Sequence, residues 1–387
     1  MSRLRRQTIL AAAVWTAVLG QAAALLAGCW GTAASLRWFL QAALLTSLVL
    51  ADLGRALHLN TRASEGTLRP TLGWANGITL LRAVMISALA GFLFQRPVAG
   101  IEPDWLSWAP GVLYLIVSAL DALDGYVARV TGSETRLGER LDVAVDALGL
   151  LVASALVVWN GKAPVFYLAV GGGVYGLRIA TAIRRRRGKP VASVPPRAIA
   201  RWIAGCEMGL AGVALLPPFG ATAITVAAAV MTVALIGSLA WDWVLICGKD
   251  AAIARGVSRY RGPVERGLPL VVRSALAVAA IAAATTGSLG TGGWAGGLAT
   301  AAVLGCVMGL AARLAAMLLS ATTALLLSSP DPGPGMTVVL GCAVSLILTG
   351  AGSVRLWQPE DRWLLERRGT ARNAVIPPPS PGTGPSG

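Results

Sequence analysis

Long apolar segments recur along the chain, and they constrain its fold more than any other feature. A helix of about twenty apolar residues crosses the ~30 Å hydrocarbon core of a bilayer. The 387 residues are 55% apolar and 13% charged, whereas an ordinary soluble domain is about 25% charged. We therefore predict an all-α, polytopic helical membrane protein, and a water-soluble enzyme is nearly excluded. The segments lie near 8–27, 34–53, 74–95, 106–126, 139–160, 163–183, 202–217, 222–246, 268–287, 293–312, 315–329 and 336–354.

The basic residues, which give a net charge of +15, cluster between these segments. This pattern follows the positive-inside rule and predicts no nucleic-acid partner. Basic residues precede the first segment, and two further basic stretches, 184–201 and 249–266, are separated by two spans, so all three are predicted to be cytoplasmic. If 315–329 crosses the bilayer, the chain has twelve spans and its basic C-terminal stretch is also cytoplasmic. With eleven spans that stretch would lie outside, so we favour twelve.

The types of reactive residue in the chain limit the kinds of catalytic and metal-binding site that it can form. The five cysteines occur singly and the chain has one histidine, His58, which argues against thiolate or multi-histidine metal sites and against Ser-His catalysis. Three adjacent glycines, Gly171 to Gly173, lie inside a predicted helix and are interpreted as close-packing residues. Glu207, an acid in another predicted helix, is interpreted as a packing residue rather than a substrate contact. Any chemistry is expected to depend on other carboxylates.

Six of the eighteen acidic residues fall between positions 121 and 146. Asp121 and Asp124 are three residues apart, and Asp142 and Asp146 are four apart, so each pair shares one face of a helix. Carboxylates in a membrane span are costly and indicate function. Four of them in one site need cations, for which Arg129 is one candidate, and an oxygen-only ligand set suits Mg²⁺ or Mn²⁺. Because Mg²⁺ commonly bridges carboxylates and phosphates, we predict phosphoryl chemistry.

The residues of this stretch form a longer pattern. In order they read Asp121-x2-Asp124-Gly125-x2-Ala128-Arg129-x8-Gly138-x3-Asp142-x3-Asp146, and upstream lies Asn76-Gly77-Ile78-Thr79-x2-Arg82. The first pattern closely resembles the signature of the CDP-alcohol phosphatidyltransferase family, and all eight of its motif residues are present at the family's spacing. The second is similar to the family's first-helix pattern.

The resemblance implies a domain organisation. A six-helix core would occupy 73–248, after two N-terminal helices and a basic connector in 1–72. A basic cytoplasmic connector would follow at 249–266, then three to four further membrane helices in 267–356, and a basic, then Pro-, Gly- and Ser-rich disordered tail in 357–387. The helices outside the core are not explained by the resemblance. Homodimerisation, a partner protein and a path for lipid are all open roles for them.

The resemblance also implies roles for individual residues. Asp121, Asp124, Asp142 and Asp146 would hold two divalent ions, and Asp146 would be the catalytic base. The residues expected to bind the CDP-linked donor, usually CDP-diacylglycerol, are Asn76, Gly77, Ile78, Thr79, Gly125, Ala128, Arg129, Thr135 and Gly138. Thr135 and Asn76 are equally well interpreted as helix caps. The alcohol acceptor would attack the donor's β-phosphorus and release CMP at the cytoplasmic face of what we expect to be a bacterial cytoplasmic membrane.

The acceptor alcohol differs among members of this family. Cationic residues near the ends of the fourth and fifth core helices, Arg178, Arg197 and Arg201, are candidates for binding it, and they favour a phosphorylated polyol such as glycerol phosphate or inositol phosphate. Contact with membrane lipids is an alternative role for the basic run Arg184 to Arg187. Two other functions remain open, an ion-coupled transporter that uses intramembrane carboxylates and a non-catalytic family member that acts as a membrane scaffold.

Overall fold

The computed structural model describes residues 2–61, 67–95, 104–131, 134–194, 197–248, 250–285, 294–328, 335–350 and 352. These residues form twelve α-helices. The predicted tail, 357–387, lies outside the described residues. The helices are α1 (Ser2–Trp30), α2 (Thr32–Ala56), α3 (Gly73–Ala90), α4 (Asp104–Val130), α5 (Arg136–Trp159), α6 (Leu168–Arg186), α7 (Ala198–Ala214), α8 (Ala221–Ile246), α9 (Asp250–Thr285), α10 (Trp294–Met308), α11 (Ala312–Leu326) and α12 (Gly335–Thr349).

Eight of these helices have a segment long and apolar enough to cross a membrane, namely α1 to α6, α8 and the part of α9 from Gly267. The predicted all-α, polytopic fold is therefore confirmed, and the chain is an integral membrane protein. The exposed surfaces agree with this, since large apolar side chains such as Leu25 and Val233 are 78% and 72% exposed. Helices α10, α11 and α12 are apolar but have only 15 residues each, which gives each a length of ~22 Å.

The basic segment 249–266 is helical from Asp250 and continues without a break into the apolar part of α9. The sequence predicted it only as a connector on the cytoplasmic side. Charge indicates on which side of the membrane a segment lies, but not its backbone conformation. Alanine and arginine, which are frequent here, are among the better helix formers.

The six helices α3 to α8 enclose the main apolar core, which includes Ile86, Tyr114, Leu156 and Ala211. Small residues permit close helix contacts, as at Gly212, where an added Cβ would lie 2.6 Å from Leu115 Cδ2. A second apolar cluster joins α8 to α9, α10, α11 and α12. The α1–α2 pair packs against α3 and the start of α4 through a third cluster that contains Trp38 and Val84.

Contacts between loops show which helix ends lie together. The end of α3 meets the end of α5, because Trp159 Nε1 donates to the Gln95 carbonyl over 3.2 Å. At the opposite end, the Ala192 amide in the α6–α7 loop donates to the Ile246 carbonyl at the end of α8. The start of α3, the end of α4 and the start of α5 meet at the aspartates of the sequence pattern. This places the predicted site near one end of the core.

Candidate metal and nucleotide site

The four signature aspartates converge around one guanidinium. Asp121 and Asp124 lie in the last three turns of α4, and Asp142 and Asp146 lie in the first half of α5. The three-residue and four-residue spacings place each pair on one helix face, as predicted, and the structure turns both faces toward α3. Oxygens of Asp121, Asp142 and Asp146 lie within 4.8 Å of one another. The structure therefore assembles the carboxylate cluster that the sequence predicted.

Arg82 of α3 lies at the centre of the cluster and is 1% exposed. Its Nη2 lies 2.7 Å from Asp121 Oδ1, and its Nη1 lies 2.7 Å from Asp124 Oδ2 and 3.0 Å from Asp142 Oδ1. Nη2 also pairs with Asp146. If all four carboxylates are ionised, one guanidinium leaves the cluster with three excess negative charges.

Arg82 was not among the residues predicted for the site, although it closes the Asn76-Gly77-Ile78-Thr79-x2-Arg82 pattern. The sequence carried two signals for it. A charged residue inside an apolar helix indicates function by the same rule that selected the aspartates. Arg82 also follows Thr79 by three residues, which places both on one helix face.

The four carboxylates differ in their access to solvent. The side chain of Asp124 is 6% exposed, and it accepts a hydrogen bond of 2.9 Å from Thr79 Oγ1 in addition to the Arg82 contact. The side chains of Asp121, Asp142 and Asp146 are 32%, 42% and 29% exposed. The cluster is therefore closed on the side of α3 and open on the side of Asp142.

This donor set fits a divalent cation. Three half-exposed carboxylates offer oxygen atoms close enough to share an ion, and hard cations such as Mg²⁺ and Mn²⁺ prefer oxygen ligands. The excess negative charge in a partly buried site favours a cation of higher charge than one arginine supplies. Asp121, Asp142 and Asp146 could hold such an ion directly, and Asp124 is the aspartate most fully engaged by the protein.

The expected nucleotide-binding residues lie beside the cluster, where α3 meets the start of α5. Thr135 is the N-cap of α5, and its hydroxyl accepts a hydrogen bond of 3.0 Å from the Gly138 amide. The capping interpretation of Thr135 is thereby confirmed. Asn76 does not cap α3, since it lies inside that helix and its Nδ2 donates to the Leu72 carbonyl over 2.8 Å. At Gly138, an added Cβ would lie 2.6 Å from Asn76 Oδ1.

The other expected donor residues are distributed as follows. Gly77 lies on the exposed side of α3, where an added Cβ would meet no atom within 4 Å, and Ile78 is half-buried beside it. Gly125 and Ala128 follow Asp124 on α4 and are half-buried. The side chain of Arg129 lies outside the described residues.

The cationic residues expected at the acceptor site do not form one group. Arg197 Nη2 pairs with Asp242 Oδ1 of α8 at 2.6 Å and also donates to the Ser238 hydroxyl and carbonyl. Arg178 on α6 and Arg201 on α7 are exposed. They lie toward the same end of the core as the aspartates, but within the described part of the chain neither of them contacts the cluster.

A buried acid, Glu207, lies in the core and is 0% exposed. Neither of its carboxylate oxygens has a hydrogen bond of acceptable geometry among the described residues, although Tyr167 of the neighbouring 3₁₀ turn interacts with it. The predicted packing hydrogen bond is therefore not formed in good geometry. The glycines behave as predicted at Gly171, where an added Cβ would lie 2.3 Å from the Leu151 Cα.

Comparisons with known proteins agree with the geometry. The sequence model of the family described as CDP-alcohol phosphatidyltransferase matches residues 72–248. A CDP-diacylglycerol–serine O-phosphatidyltransferase of Mycobacterium leprae is 41% identical over 109 residues, which are 27% of this chain and 35% of that protein. A choline/ethanolaminephosphotransferase 2 of Arabidopsis thaliana is 38% identical over 76 residues, 19% of this chain and 20% of that protein.

A CDP-diacylglycerol–glycerol-3-phosphate 3-phosphatidyltransferase of Cereibacter sphaeroides is 23% identical over 142 residues, 35% of this chain and 61% of that protein. The chain thus spans between a fifth and three fifths of the length of these relatives. No solved structure matches the chain. The matched residues contain α3 to α8, both sequence patterns and the carboxylate cluster, so this part of the chain matches the CDP-alcohol phosphatidyltransferase domain.

Proposed function

We propose that the protein transfers a substituted phosphate group from a CDP-linked lipid, such as CDP-diacylglycerol, to the hydroxyl of an alcohol and releases CMP. The observation that carries this proposal is the convergence of Asp121, Asp124, Asp142 and Asp146 from α4 and α5 on one half-open site. A divalent ion bound there would neutralise the donor's diphosphate and stabilise the charge that develops during transfer.

Different residues of the site would bind metal, accept the proton and bind the nucleotide. Asp121 and Asp142 would bind metal. Asp124 would do so through Oδ1, since Thr79 and Arg82 both bind its Oδ2. Asp146 would bind metal and accept the proton of the acceptor hydroxyl. The hydroxyl oxygen forms a bond to the β-phosphorus of the donor as the bond to the CMP oxygen breaks. Gly138 and Asn76, which approach closely, would line the nucleotide site together with Thr135. Asp146 is also an ion-pair partner of Arg82, so proton transfer to Asp146 requires that this pair be weakened when the substrates bind.

We further propose a phosphorylated polyol as the acceptor, with Arg178 and Arg201 as its binding residues. Both side chains are exposed and cationic near the end of the core that carries the aspartates, as binding of a phosphate from the aqueous side requires. Arg197 is a weaker candidate, because Asp242 already neutralises it. We place this site at the cytoplasmic face, where the basic loop between α6 and α7 would lie under the positive-inside rule.

The geometry favours transfer over ion-coupled transport. A transporter would distribute its carboxylates along a path through several helices near the middle of the bilayer. Here the four aspartates of α4 and α5 share one guanidinium near one end of the core. A scaffold without activity has no need of a half-open carboxylate cluster. An assay of CMP release distinguishes an active transferase from such a scaffold.

The test is CMP release by purified protein with CDP-diacylglycerol, Mg²⁺ or Mn²⁺, and a panel of acceptors that contains glycerol 3-phosphate, inositol phosphate, serine and phosphatidylglycerol. We expect metal-dependent release with one acceptor and a loss of about 10²–10⁴-fold in Asp146→Asn, the range typical of a general base. Asp52→Asn is the matched control, because Asp52 lies on α2 in an exposed ion pair with Arg140. Full turnover in Asp146→Asn would contradict the mechanism, and silence with every acceptor would contradict the activity.

A further inference from the structure

A cavity lies between the family core and the C-terminal helices. Its volume is about 380 Å³, and its walls come from α4, α7, α8, α11 and α12. The wall residues include Leu115, Gly209, Ala227, Ala321 and Val344. Two of these helices, α11 and α12, lie beyond residue 248, so the cavity is formed only where the C-terminal helices pack on the core.

Among the described residues that line this cavity, each side chain with a nitrogen or oxygen atom already forms a hydrogen bond within the protein. Trp202 Nε1 donates to the Ile347 carbonyl over 2.9 Å, and Ser320 Oγ donates to the Ala316 carbonyl over 2.8 Å. The remaining side chains are aliphatic, aromatic or sulfur-containing. A buried water needs two to four polar partners, and apolar cavities stay dry and bind apolar molecules. The cavity therefore suits a hydrocarbon ligand.

The surroundings of the cavity identify the source of that hydrocarbon. Helices α4 and α8 are long and apolar enough to cross a membrane, and Met317 of α11, which lines the cavity, is 36% exposed. Because a side chain that lines the cavity is exposed beside membrane-spanning helices, the chains of the surrounding lipids can reach the cavity. From Trp202 to Val213 the cavity follows α7 over twelve residues, or ~16 Å of helix, which leaves room for a chain lying along the helix. We propose that the cavity binds an acyl chain of a bilayer phospholipid, held as a structural lipid between the core and the C-terminal helices.

The geometry favours a bilayer phospholipid over the lipid substrate as the source. On α4, Tyr114 lies seven residues before Asp121 and so shares its face, whereas the neighbouring Leu115 lines the cavity. On α7, Glu207 is buried in the core, whereas Cys206 and Gly209 line the cavity. On α4, which contributes to both sites, the cavity and the carboxylate cluster thus lie on different faces.

Two glycines allow the cavity to be filled without disturbing the packing. An added Cβ at Gly205 or at Gly209 would meet no atom within 4 Å, and both residues line the cavity. Gly205→Leu and Gly209→Leu would therefore place a side chain where the acyl chain lies. Gly176→Leu is the matched control, since Gly176 on α6 is exposed, is equally free of neighbours and lies outside the cavity.

The probe is phosphatidylcholine with a photoreactive group on one acyl chain, present at a trace level in vesicles of unlabelled phosphatidylcholine that contain the protein. We expect cross-links on α7 and α11, reduced at least fivefold in Gly205→Leu and in Gly209→Leu and unchanged in Gly176→Leu. Cross-linking that is absent from these helices, or that persists after filling, would overturn the proposal. The two filling variants are made separately, and size-exclusion profiles identify any that misfolds.

A second arm distinguishes the source of the chain. Addition of CDP-diacylglycerol at a small fraction of the bulk lipid should leave cross-linking unchanged. The filling variants should also keep the wild-type KM for that donor if the protein turns it over. Displacement of the probe by CDP-diacylglycerol would assign the cavity to the substrate instead and would overturn the structural role.

Discussion

Replacing Arg82 with glutamine removes the buried cation that contacts all four signature aspartates. Breaking a buried ion pair by removing one partner costs ~3–5 kcal/mol. Only Asp124, whose side chain is 6% exposed, is left without access to water, whereas the other three are 29–42% exposed and are screened. We therefore expect the lower end of the range, about 3 kcal/mol, for the metal-free protein.

The same substitution should strengthen the binding of divalent ions. Arg82 contacts the carboxylate oxygens that would hold an ion, and a guanidinium and a divalent ion ~5 Å apart repel each other with about 7 kcal/mol at an effective dielectric constant of about 20. Solvent on the open side of the site reduces this value. We expect Arg82→Gln to bind Mn²⁺ at least tenfold more tightly, or by ~1.4 kcal/mol. Because ligand binding stabilises the folded state, saturating Mn²⁺ should restore most of the lost stability.

The measurements are Mn²⁺ titration calorimetry and equilibrium unfolding in mixed detergent micelles, each with EDTA and with saturating Mn²⁺. Arg140→Gln is the matched control, because Arg140 forms an exposed ion pair of 2.6 Å with Asp52, which is worth at most ~1 kcal/mol. Weaker Mn²⁺ binding in Arg82→Gln, or a loss of stability that Mn²⁺ does not reduce, would refute the view that Arg82 and metal compete for the same oxygens.

Two further substitutions test local features of the core. Thr135→Ala should destabilise the protein by ~1 kcal/mol, because the Gly138 amide loses its capping partner. Thr135→Ser keeps the hydroxyl and should have the stability of the wild type in the same unfolding assay. An unchanged unfolding midpoint for Thr135→Ala would contradict the capping role. Burial lowers the pKa of Lys162, in the loop after α5, below 10.5. As the pH rises, the folded state therefore releases the Lys162 proton before the unfolded state does. Between the pKa of Lys162 in the folded state and its pKa in the unfolded state, the wild type should gain stability relative to Lys162→Met as the pH rises. Parallel stability profiles of the two proteins against pH would contradict this.

The sequence predicted the features that depend on local pattern. The lengths of the apolar segments predicted where the helices lie. The spacing of the four aspartates predicted that they lie as two pairs, each on one helix face: Asp121 with Asp124, and Asp142 with Asp146. The helical start of α9 was not predicted, because its basic character fixes only the side of the membrane on which it lies.

The features that the sequence did not predict depend on how distant helices pack. Arg82 could be recognised as an unusual charge, but its position between α4 and α5 follows from the packing of α3 against both of them. The cavity near Gly209 requires the C-terminal helices to dock on α7 and α8. No periodicity within one segment specifies such a contact, because each helix presents several apolar faces that could accept a partner.

The glycines of α6 show where a local pattern stops being informative. Gly171 and Gly172 are adjacent and chemically identical, but an added Cβ at Gly171 would lie 2.3 Å from the Leu151 Cα, whereas at Gly172 it would meet no atom within 4 Å. Gly171→Ala must therefore push α6 away from α5, and we expect it to cost ~1–3 kcal/mol. Gly172→Ala should be neutral or stabilise by up to about 1 kcal/mol, since alanine is the better helix former. Equal unfolding midpoints for the two variants would show that α5 and α6 do not pack in this register.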